Sequence, residues 1–186
     1  MVAIDFLTNP VLLPYLNPFR ALNERALQLL RPWEAHASVA RIDPHTLYAQ
    51  GIRGVSFDFD QTLAAYGSGV VDASLAPILS KWAHIFSGNV CVLSNAIGSR
   101  VSRAGAALDI PVIQARKRKP SVDGFRVAQR RWNLAPQQCV HIGDQVLTDI
   151  LGANTAGWKS IHVRPFEPSA DPWFIRVARA YERRLL

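Results

Sequence analysis

Short apolar segments alternate with longer amphipathic ones from Gly54 onward, and this alternation most constrains the fold. Five short segments are predicted strands: Val55 to Asp60, Val90 to Ser94, Val112 to Ala115, Val140 to Gly143 and Ser160 to Val163. Helical patterns lie between and after them: about Asp72 to Phe86, Ser99 to Leu108, Pro120 to Trp132 and Thr148 to Ala156. Such alternation indicates a parallel sheet with helices on both faces. We therefore predict an α/β fold, a Rossmann-like three-layer α/β/α sandwich with about five parallel strands.

The chain is long enough to fold around a core without cross-links. Its 186 residues are 49% hydrophobic and 19% charged, which is typical of one globular domain. The two cysteines, Cys91 and Cys139, lie in apolar runs, so we expect buried thiols and no disulfide scaffold. Polar and proline residues interrupt the apolar start of the chain. We therefore expect neither a membrane-spanning helix nor a signal peptide, and a cytoplasmic protein.

A basic amphipathic helix is predicted near the C-terminus, from Trp173 to Leu186, with Asp171 as its N-cap. Apolar side chains share one side of this helix. Three arginines share another: Arg176, Arg179 and Arg183. Such a helix either packs on its own domain or lies on an anionic membrane. We favour packing on the domain.

Two acidic side chains, Asp58 and Asp60, end the first predicted strand. Because side chains alternate across a strand, both point to the same side. Two carboxylates this close repel each other, and burial would raise their pKa values unless a cation lies between them. A divalent cation that prefers oxygen ligands, with Mg²⁺ the best candidate, removes this conflict. The alternative is a solvated strand end with two unrelated acids.

A second acidic pair, Asp144 and Asp149, follows the strand Val140 to Gly143. Ligands of open parallel sheets bind beyond the C-terminal ends of the strands, so we expect Asp58, Asp60 and Asp144 at one edge. Asp149 opens the next helix. It either complements the helix dipole or belongs to the site, and the pattern favours neither.

Polar groups also follow two other predicted strands. Ser94 and Asn95 stand where a helix then begins, and they either hold phosphate oxygens or cap that helix. The basic run Arg116 to Lys119 follows the next strand, and we expect at least one of its cations at the same edge. The residues alone leave open whether Lys117 or Lys119 is that cation.

In chain order, these strand ends supply two carboxylates, a hydroxyl, a lysine and two further carboxylates. This order resembles the four motifs of the haloacid dehalogenase (HAD) superfamily, most of whose members transfer phosphoryl groups through an aspartyl-phosphate intermediate. The matching residues are, motif by motif, Asp58 with Asp60, Ser94, Lys119, and Asp144 with Asp149. The resemblance implies an HAD-like fold and a phosphatase.

Finer strings are similar to the YqeG family of subfamily IIIA phosphatases, which includes enzymes that dephosphorylate phosphatidylglycerophosphate. These strings are Gly51-Ile52-Arg53-Gly54, Leu93-Ser94-Asn95, Lys119-Pro120, Ile142-Gly143-Asp144-Gln145 and, near the end, Arg179 with Tyr181-Glu182-Arg183-Arg184. Gln61 and Ala96 depart from the family pattern, which usually has Asn at the first position and commonly has Asn at the second. The resemblance covers roughly residues 29–186, which we assign to a capless phosphatase domain. We expect residues 1–28 to form an N-terminal extension with an amphipathic helix.

The resemblance also implies a role for each motif residue. Asp58 is the nucleophile and Asp60 the general acid and base. Mg²⁺ is held by the Asp58 carboxylate, the Asp60 backbone carbonyl and Asp144, with Asp149 in the same metal site. The residues expected to bind the substrate phosphate are Thr62, Ser94, Asn95 and Lys119. Ser94 and Lys119 are also expected to act in catalysis, and Thr62 to fix the Asp60 carboxylate.

Motif spacing leaves no room for a cap domain. The 32 positions from Thr62 to Ser94 and the 25 from Ser94 to Lys119 are each nearly filled by one helix and one strand. An open site suits a phosphate on something large. The net charge of +7 favours an anionic partner.

The family resemblance, together with the charge, implies phosphatidylglycerophosphate as the best substrate candidate, with the enzyme peripheral on the inner membrane face. Alternatives are a soluble phosphoester, a phosphoprotein or a nucleic-acid end as substrate, or a non-enzymatic module that binds RNA or an assembly. Basic patches without interleaved aromatic residues predict no specific nucleic-acid recognition. The sequence makes no prediction of oligomeric state.

Overall fold

Six parallel strands form one sheet in the order β1-β6-β5-β2-β3-β4 in the computed structural model, which describes residues 27–96, 99–113 and 115–183. The strands are β1 (Glu34–His36), β2 (Gly54–Phe57), β3 (Val90–Leu93), β4 (Val112–Ile113), β5 (Cys139–Gly143) and β6 (Lys159–Val163). The helices are α1 (Pro44–Ala49), α2 (Leu75–Ile85), α3 (Ser99–Ala107), α4 (Asp123–Trp132), α5 (Leu151–Thr155) and α6 (Trp173–Glu182). The predicted α/β fold is confirmed.

Alternate side chains of the strands enter two separate cores. Val90 and Val92 of β3 pack in the cluster that contains Trp82 of α2, whereas Cys91 and Leu93 pack in the cluster that contains Phe125 of α4. This period of two shows that helices cover both faces of the sheet, as the apolar strands predicted. The thiols of Cys91 and Cys139 are free and buried, as expected.

The strand β1 is the one strand of the described chain that the sequence analysis did not predict. It spans Glu34–His36 and pairs with β6, with Glu34 opposite Ile161. Its three residues carry no apolar pattern, because an edge strand buries little and is fixed by pairing alone. The predicted set of about five strands therefore lacks the edge strand β1.

The chain after β5 turns more widely than the predicted helix from Thr148 would. Val146–Ile150 form a π-helical turn, and α5 begins only at Leu151. The Asp149 carboxylate accepts a hydrogen bond from the Gln145 backbone N–H at 3.0 Å inside this turn. Such single wide turns are common at functional sites.

The predicted N-terminal extension lies almost wholly outside the described residues, as do the last residues of the predicted C-terminal helix. In the described ranges, β2 is followed by a loop and α2, and β3 is followed by α3 and β4. Within these ranges no domain is inserted between Thr62 and Ser94 or between Ser94 and Lys119, where the spacing left no room for a cap. No described helix has the length and apolar character needed to cross a bilayer.

Candidate active site

Three carboxylates meet at the C-terminal ends of β2 and β5. Asp58 follows β2 and Asp144 follows β5, and these two strands are direct neighbours. Asp149, from the π-helical turn, completes the group. One oxygen from each side chain lies within 4.8 Å of the others, and all three residues are buried. The predicted edge therefore carries Asp149 as well as Asp58 and Asp144.

Lys119 is the cation between two of these carboxylates. Its Nζ lies 2.6 Å from Asp58 Oδ1 and 2.7 Å from Asp149 Oδ1, and the ammonium is buried. The Asn95 side chain holds the Lys119 backbone, because its Oδ1 accepts from the Lys119 N–H at 2.7 Å and its Nδ2 donates to the carbonyl at 3.0 Å. Lys117 is exposed. The structure thus selects Lys119 from the basic run.

A second cation, Arg179 of α6, reaches the same group. Its Nη2 pairs with Asp144 Oδ2, its Nη1 donates to the Asp144 carbonyl at 3.1 Å, and its Nε lies 2.6 Å from Asp171 Oδ2. Pro172 occupies the N-cap position of α6, and no side chain caps the helix. The prediction of Asp171 as N-cap was therefore wrong. Its carboxylate is buried, where pairing with a guanidinium stabilises the charge more than a capping contact does.

Gln61 links the loop after β2 to the segment before α6. It has a φ of 66°, which reverses the chain directly after Asp60. Its Nε2 donates to Asp171 Oδ1 at 2.7 Å, and its Oε1 accepts from the Glu167 N–H at 2.7 Å. The residue that departs from the family pattern therefore anchors the segment that carries Arg179.

Four buried carboxylates, these three and Asp171, meet two cations, Lys119 and Arg179, so they exceed them by two negative charges when all are ionised. Burial raises the pKa of Asp58 to about 7, although Lys119 acts against this rise. Burial also raises the pKa of Asp144 well above its usual range, and the neighbouring carboxylates add to the effect. Burial would raise the pKa of Asp149 too, but Lys119 and His141 outweigh it and lower that pKa. The site therefore has an unmet need for positive charge.

His141 supports Asp149 from beneath the site and was not predicted. Its Nε2 lies 3.2 Å from Asp149 Oδ1, and its Nδ1 lies 2.7 Å from Ser56 Oγ. Burial lowers the pKa of His141 and keeps the ring neutral. Because an ionised carboxylate only accepts hydrogen bonds, Nε2 donates to Asp149 and Nδ1 accepts from the Ser56 hydroxyl. The ring thus fixes the orientation of Asp149.

Gly143 allows this arrangement. A Cβ added there would lie 2.6 Å from Asp149 Cβ, a distance that real Cβ atoms do not show. The absence of a side chain at Gly143 lets the strand backbone pass this close to the Asp149 side chain.

All the donors in this group are carboxylate oxygens, which suits a hard divalent cation. Carboxylates outnumber cations around the buried group, and no histidine or cysteine belongs to it. These features fit Mg²⁺ better than a softer metal such as zinc. The group Asp58, Asp144 and Asp149 is thus a candidate metal site.

The Asp60 carboxylate stands apart from this group, on the wall of an open pocket. Its Oδ2 pairs with Arg100 Nη2 at 2.8 Å, and its Oδ1 accepts from the Gly67 N–H at 3.0 Å. Arg100, on α3, was not predicted. Asp58 and Asp60 therefore line the same pocket, but the group of three carboxylates includes Asp58 and not Asp60.

Thr62 does not bind Asp60 as expected. Its hydroxyl donates to Asp144 Oδ1 at 3.2 Å, and the residue is buried. The reversal of the chain at Gln61 turns Thr62 under the sheet edge, away from the preceding carboxylate. Thr62 therefore positions a candidate metal ligand.

The pocket is an open depression of about 480 Å³. Its lining includes Asp58, Asp60, Lys119, Arg100, Tyr66 and Phe174. Ser94 also lines the pocket, and its Oγ accepts from the Ala96 N–H at 3.1 Å. The helix α3 begins only at Ser99, so Ser94 does not cap it. A phosphate here would meet both acids and the lysine.

Comparison with known proteins gives the family. A model of HAD-hydrolase-like proteins matches residues 117–165. A Bacillus subtilis (strain 168) protein named "Probable phosphatase YqeG" is 34% identical over 158 residues, which cover 83% of this chain and 88% of that protein. The chain belongs to the YqeG family of HAD-type phosphatases.

The chain is also similar to other proteins and solved structures at lower identity. A Chlamydomonas reinhardtii protein named "Phosphatidylglycerophosphate phosphatase 1, chloroplastic" is 30% identical, and the match covers 83% of this chain and 60% of that protein. Among solved structures, an uncharacterized protein from Listeria monocytogenes serotype 4b is 14% identical with a TM-score of 0.49, over 69% of this chain and 99% of that one.

The YqeG-family site combines residues that the sequence indicated with others that it did not. Asp58, Asp144, Asp149 and Lys119 come together, and Asp60 and Ser94 line the same pocket. Asn95 and Thr62 hold other site residues in place. The unpredicted members are His141, Arg100 and Arg179. Of the three, the sequence analysis named Arg179 alone, in the arginine face of the predicted C-terminal helix and in the family-like ending.

Proposed function

We propose that this YqeG-family phosphatase hydrolyses a phosphomonoester through a phosphoryl group carried on Asp58. The observation that supports this most is the placement of the Asp58 carboxylate, which lines the open pocket, touches Lys119 and lies near Asp60. A carboxylate can act as a nucleophile toward phosphorus when nearby cations offset the charge of the phosphate.

Asp58 and Asp144, with the Asp60 backbone carbonyl and Asp149 beside them, are the proposed ligands of Mg²⁺. When bound, the ion would neutralise charge on the transferring phosphoryl group. Lys119 contributes the same kind of stabilisation from the protein. Lys119 stays protonated, because Asp149 and Asp58 outweigh the effect of burial and raise its pKa.

The proposed reaction has two steps. In the first, a carboxylate oxygen of Asp58 attacks phosphorus, the bond from phosphorus to the ester oxygen breaks, and Asp60 gives its proton to that oxygen. In the second, Asp60 takes a proton from water, the water oxygen attacks phosphorus, and the bond to Asp58 breaks to release inorganic phosphate. Arg100 and the Gly67 N–H hold the Asp60 carboxylate at the pocket wall for both transfers.

The proposed substrate is phosphatidylglycerophosphate. Support comes from the name of the Chlamydomonas relative, from the open pocket and from the net charge of +7. A pocket without a cap suits a phosphate that protrudes from a bilayer. Peripheral attachment to an anionic membrane belongs to this proposal.

The test is phosphate release from phosphatidylglycerophosphate in mixed micelles, with and without Mg²⁺, for the wild type and Asp58→Asn. We expect release that depends on Mg²⁺ and disappears in the variant. Full release by Asp58→Asn would refute the nucleophile. Turnover of a soluble phosphomonoester without release from the lipid would keep the mechanism and reject the lipid.

A further inference from the structure

The helix α6 presents its apolar side chains outward. Trp173 is 73% exposed, Val177 is 61% exposed and Phe174 is 48% exposed. These residues follow the spacing of one helical face. An amphipathic helix on a globular protein normally buries this face, so its exposure needs a cause.

The cause lies on the opposite face of the helix, which is polar and buried. Arg179 pairs with Asp144 and Asp171, and Glu182 Oε1 accepts from the Leu147 N–H at 2.9 Å. These charge-assisted contacts fix the rotation of the helix about its axis. The helix packs on the domain, as favoured from the sequence, but with an arginine inward and the apolar face outward.

The exposed face continues into the wall of the active-site pocket. The Trp173 and Phe174 rings are 6.0 Å apart, and the Phe174 and Tyr66 rings are 6.5 Å apart. Phe174 and Tyr66 line the pocket together with Asp58 and Lys119. One aromatic surface therefore runs from the outside of α6 to the catalytic carboxylate.

Cations flank this aromatic surface. Arg118 lines the pocket and is exposed, and its neighbours Arg116 and Lys117 are exposed as well. On α6, Arg176 is exposed next to Val177. Apolar rings beside cations complement the boundary between acyl chains and anionic headgroups in a bilayer.

We propose that the outer face of α6 inserts into the interface of an anionic phospholipid bilayer and so sets the pocket at the depth of the lipid phosphates. This inference rests on the proposed function, because it explains how a lipid phosphate would reach Asp58. Tryptophan and tyrosine favour the interfacial depth, since each has an apolar body and a polar group.

The bilayer suits this surface better than a second copy of the chain. A second copy would bring the same exposed arginines toward one another, because the chain carries a net charge of +7. It would also place an aromatic face across the mouth of the pocket, which the substrate must enter. An anionic bilayer meets both the charge and the entry requirement.

The first experiment compares the wild type with the double variant Trp173→Ser/Val177→Ser and with the control Val127→Ser. Val127 is an exposed apolar residue of α4, and it lines none of the active-site pocket. Binding is measured on phosphatidylcholine vesicles with and without phosphatidylglycerol. We expect the double variant to bind anionic vesicles about tenfold or more weakly, and the control to bind as the wild type does. Turnover of p-nitrophenyl phosphate should stay unchanged in all three.

Equal vesicle binding by the double variant and the wild type would overturn the inference. Hydrolysis of p-nitrophenyl phosphate needs no membrane. If the wild type failed to hydrolyse it, that result would count against the proposed function instead.

A second measurement tests the inference even if the double variant folds poorly. Phospholipids brominated in their acyl chains quench a tryptophan that enters the bilayer. We expect them to quench wild-type fluorescence and to quench Trp173→Phe, which keeps an apolar ring, much less. Equal quenching of the two proteins would overturn the inference. So would shielding of Trp173 from aqueous acrylamide without lipid, since a covering segment or a second copy would then occupy the face.

Discussion

Replacement of Arg179 by methionine tests how two buried carboxylates, Asp144 and Asp171, are held. The guanidinium contacts Asp144 and Asp171, and both carboxylates are buried. Removing one partner of a buried ion pair costs about 3–5 kcal/mol, because the remaining charge stays buried without compensation. With a urea m-value of about 2 kcal/mol/M, this loss lowers the unfolding midpoint by about 2 M.

The control is Arg176→Met, on the same helix. Arg176 is exposed and donates from Nε to the Asp171 carbonyl at 2.9 Å, so its loss should cost less than about 1 kcal/mol. We expect added Mg²⁺ to recover part of the stability of Arg179→Met, since a cation at Asp144 would replace the missing charge. Urea unfolding followed by circular dichroism measures both effects. A loss below about 1 kcal/mol for Arg179→Met would refute the assignment of a buried, uncompensated carboxylate.

Three further outcomes follow from the site and the core. Lys119→Met should lower phosphate release by at least about 100-fold, while the exposed Lys117→Met should change it less than about twofold; equal effects would contradict the choice of Lys119. Burial lowers the pKa of His141, so below about pH 6.5 the unfolded chain binds the extra proton and the wild type loses stability. The loss should be smaller in His141→Gln, measured by urea unfolding from about pH 7 to about pH 5.5, and parallel curves would refute it. Burial raises the pKa of Cys139 to about 12 and also raises that of Cys91, so a chromogenic disulfide should react with neither thiol at about pH 8 until urea is added.

The core of the fold could be predicted because burial leaves a pattern in the sequence. The central strands read as apolar runs, since both of their faces are covered. β1 could not be predicted in this way, because its three residues are held by pairing with β6 and bury little. The wide turn before α5 was also missed, since it depends on the contact between Asp149 and the Gln145 N–H.

The residues of the candidate site also differ in whether the sequence pattern alone could predict their place. Asp58, Asp144 and Lys119 stand directly after strands or in the loop that follows one, so the topology of a parallel sheet brings them to one edge. Arg179 reaches Asp144 from 35 positions away, through the rotation of α6. The amphipathic pattern of α6 gives two faces but not which face is buried, because ion pairs and apolar contacts compete for the interior. His141 is hidden in an apolar strand, where nothing distinguishes it from a core residue.

The excess of carboxylates over cations at the site has a consequence for product release. With Asp58, Asp144, Asp149 and Asp171 ionised against Lys119 and Arg179, the site carries a formal charge of −2, which repels a phosphate dianion. A bound divalent ion would bring this charge to about 0 and remove the repulsion. Binding of a divalent ion and of phosphate should therefore be cooperative. By thermodynamic reciprocity, phosphate tightens retention of the ion by the same factor. The protein should thus hold its ion most firmly while phosphate is bound and exchange it most readily between turnovers.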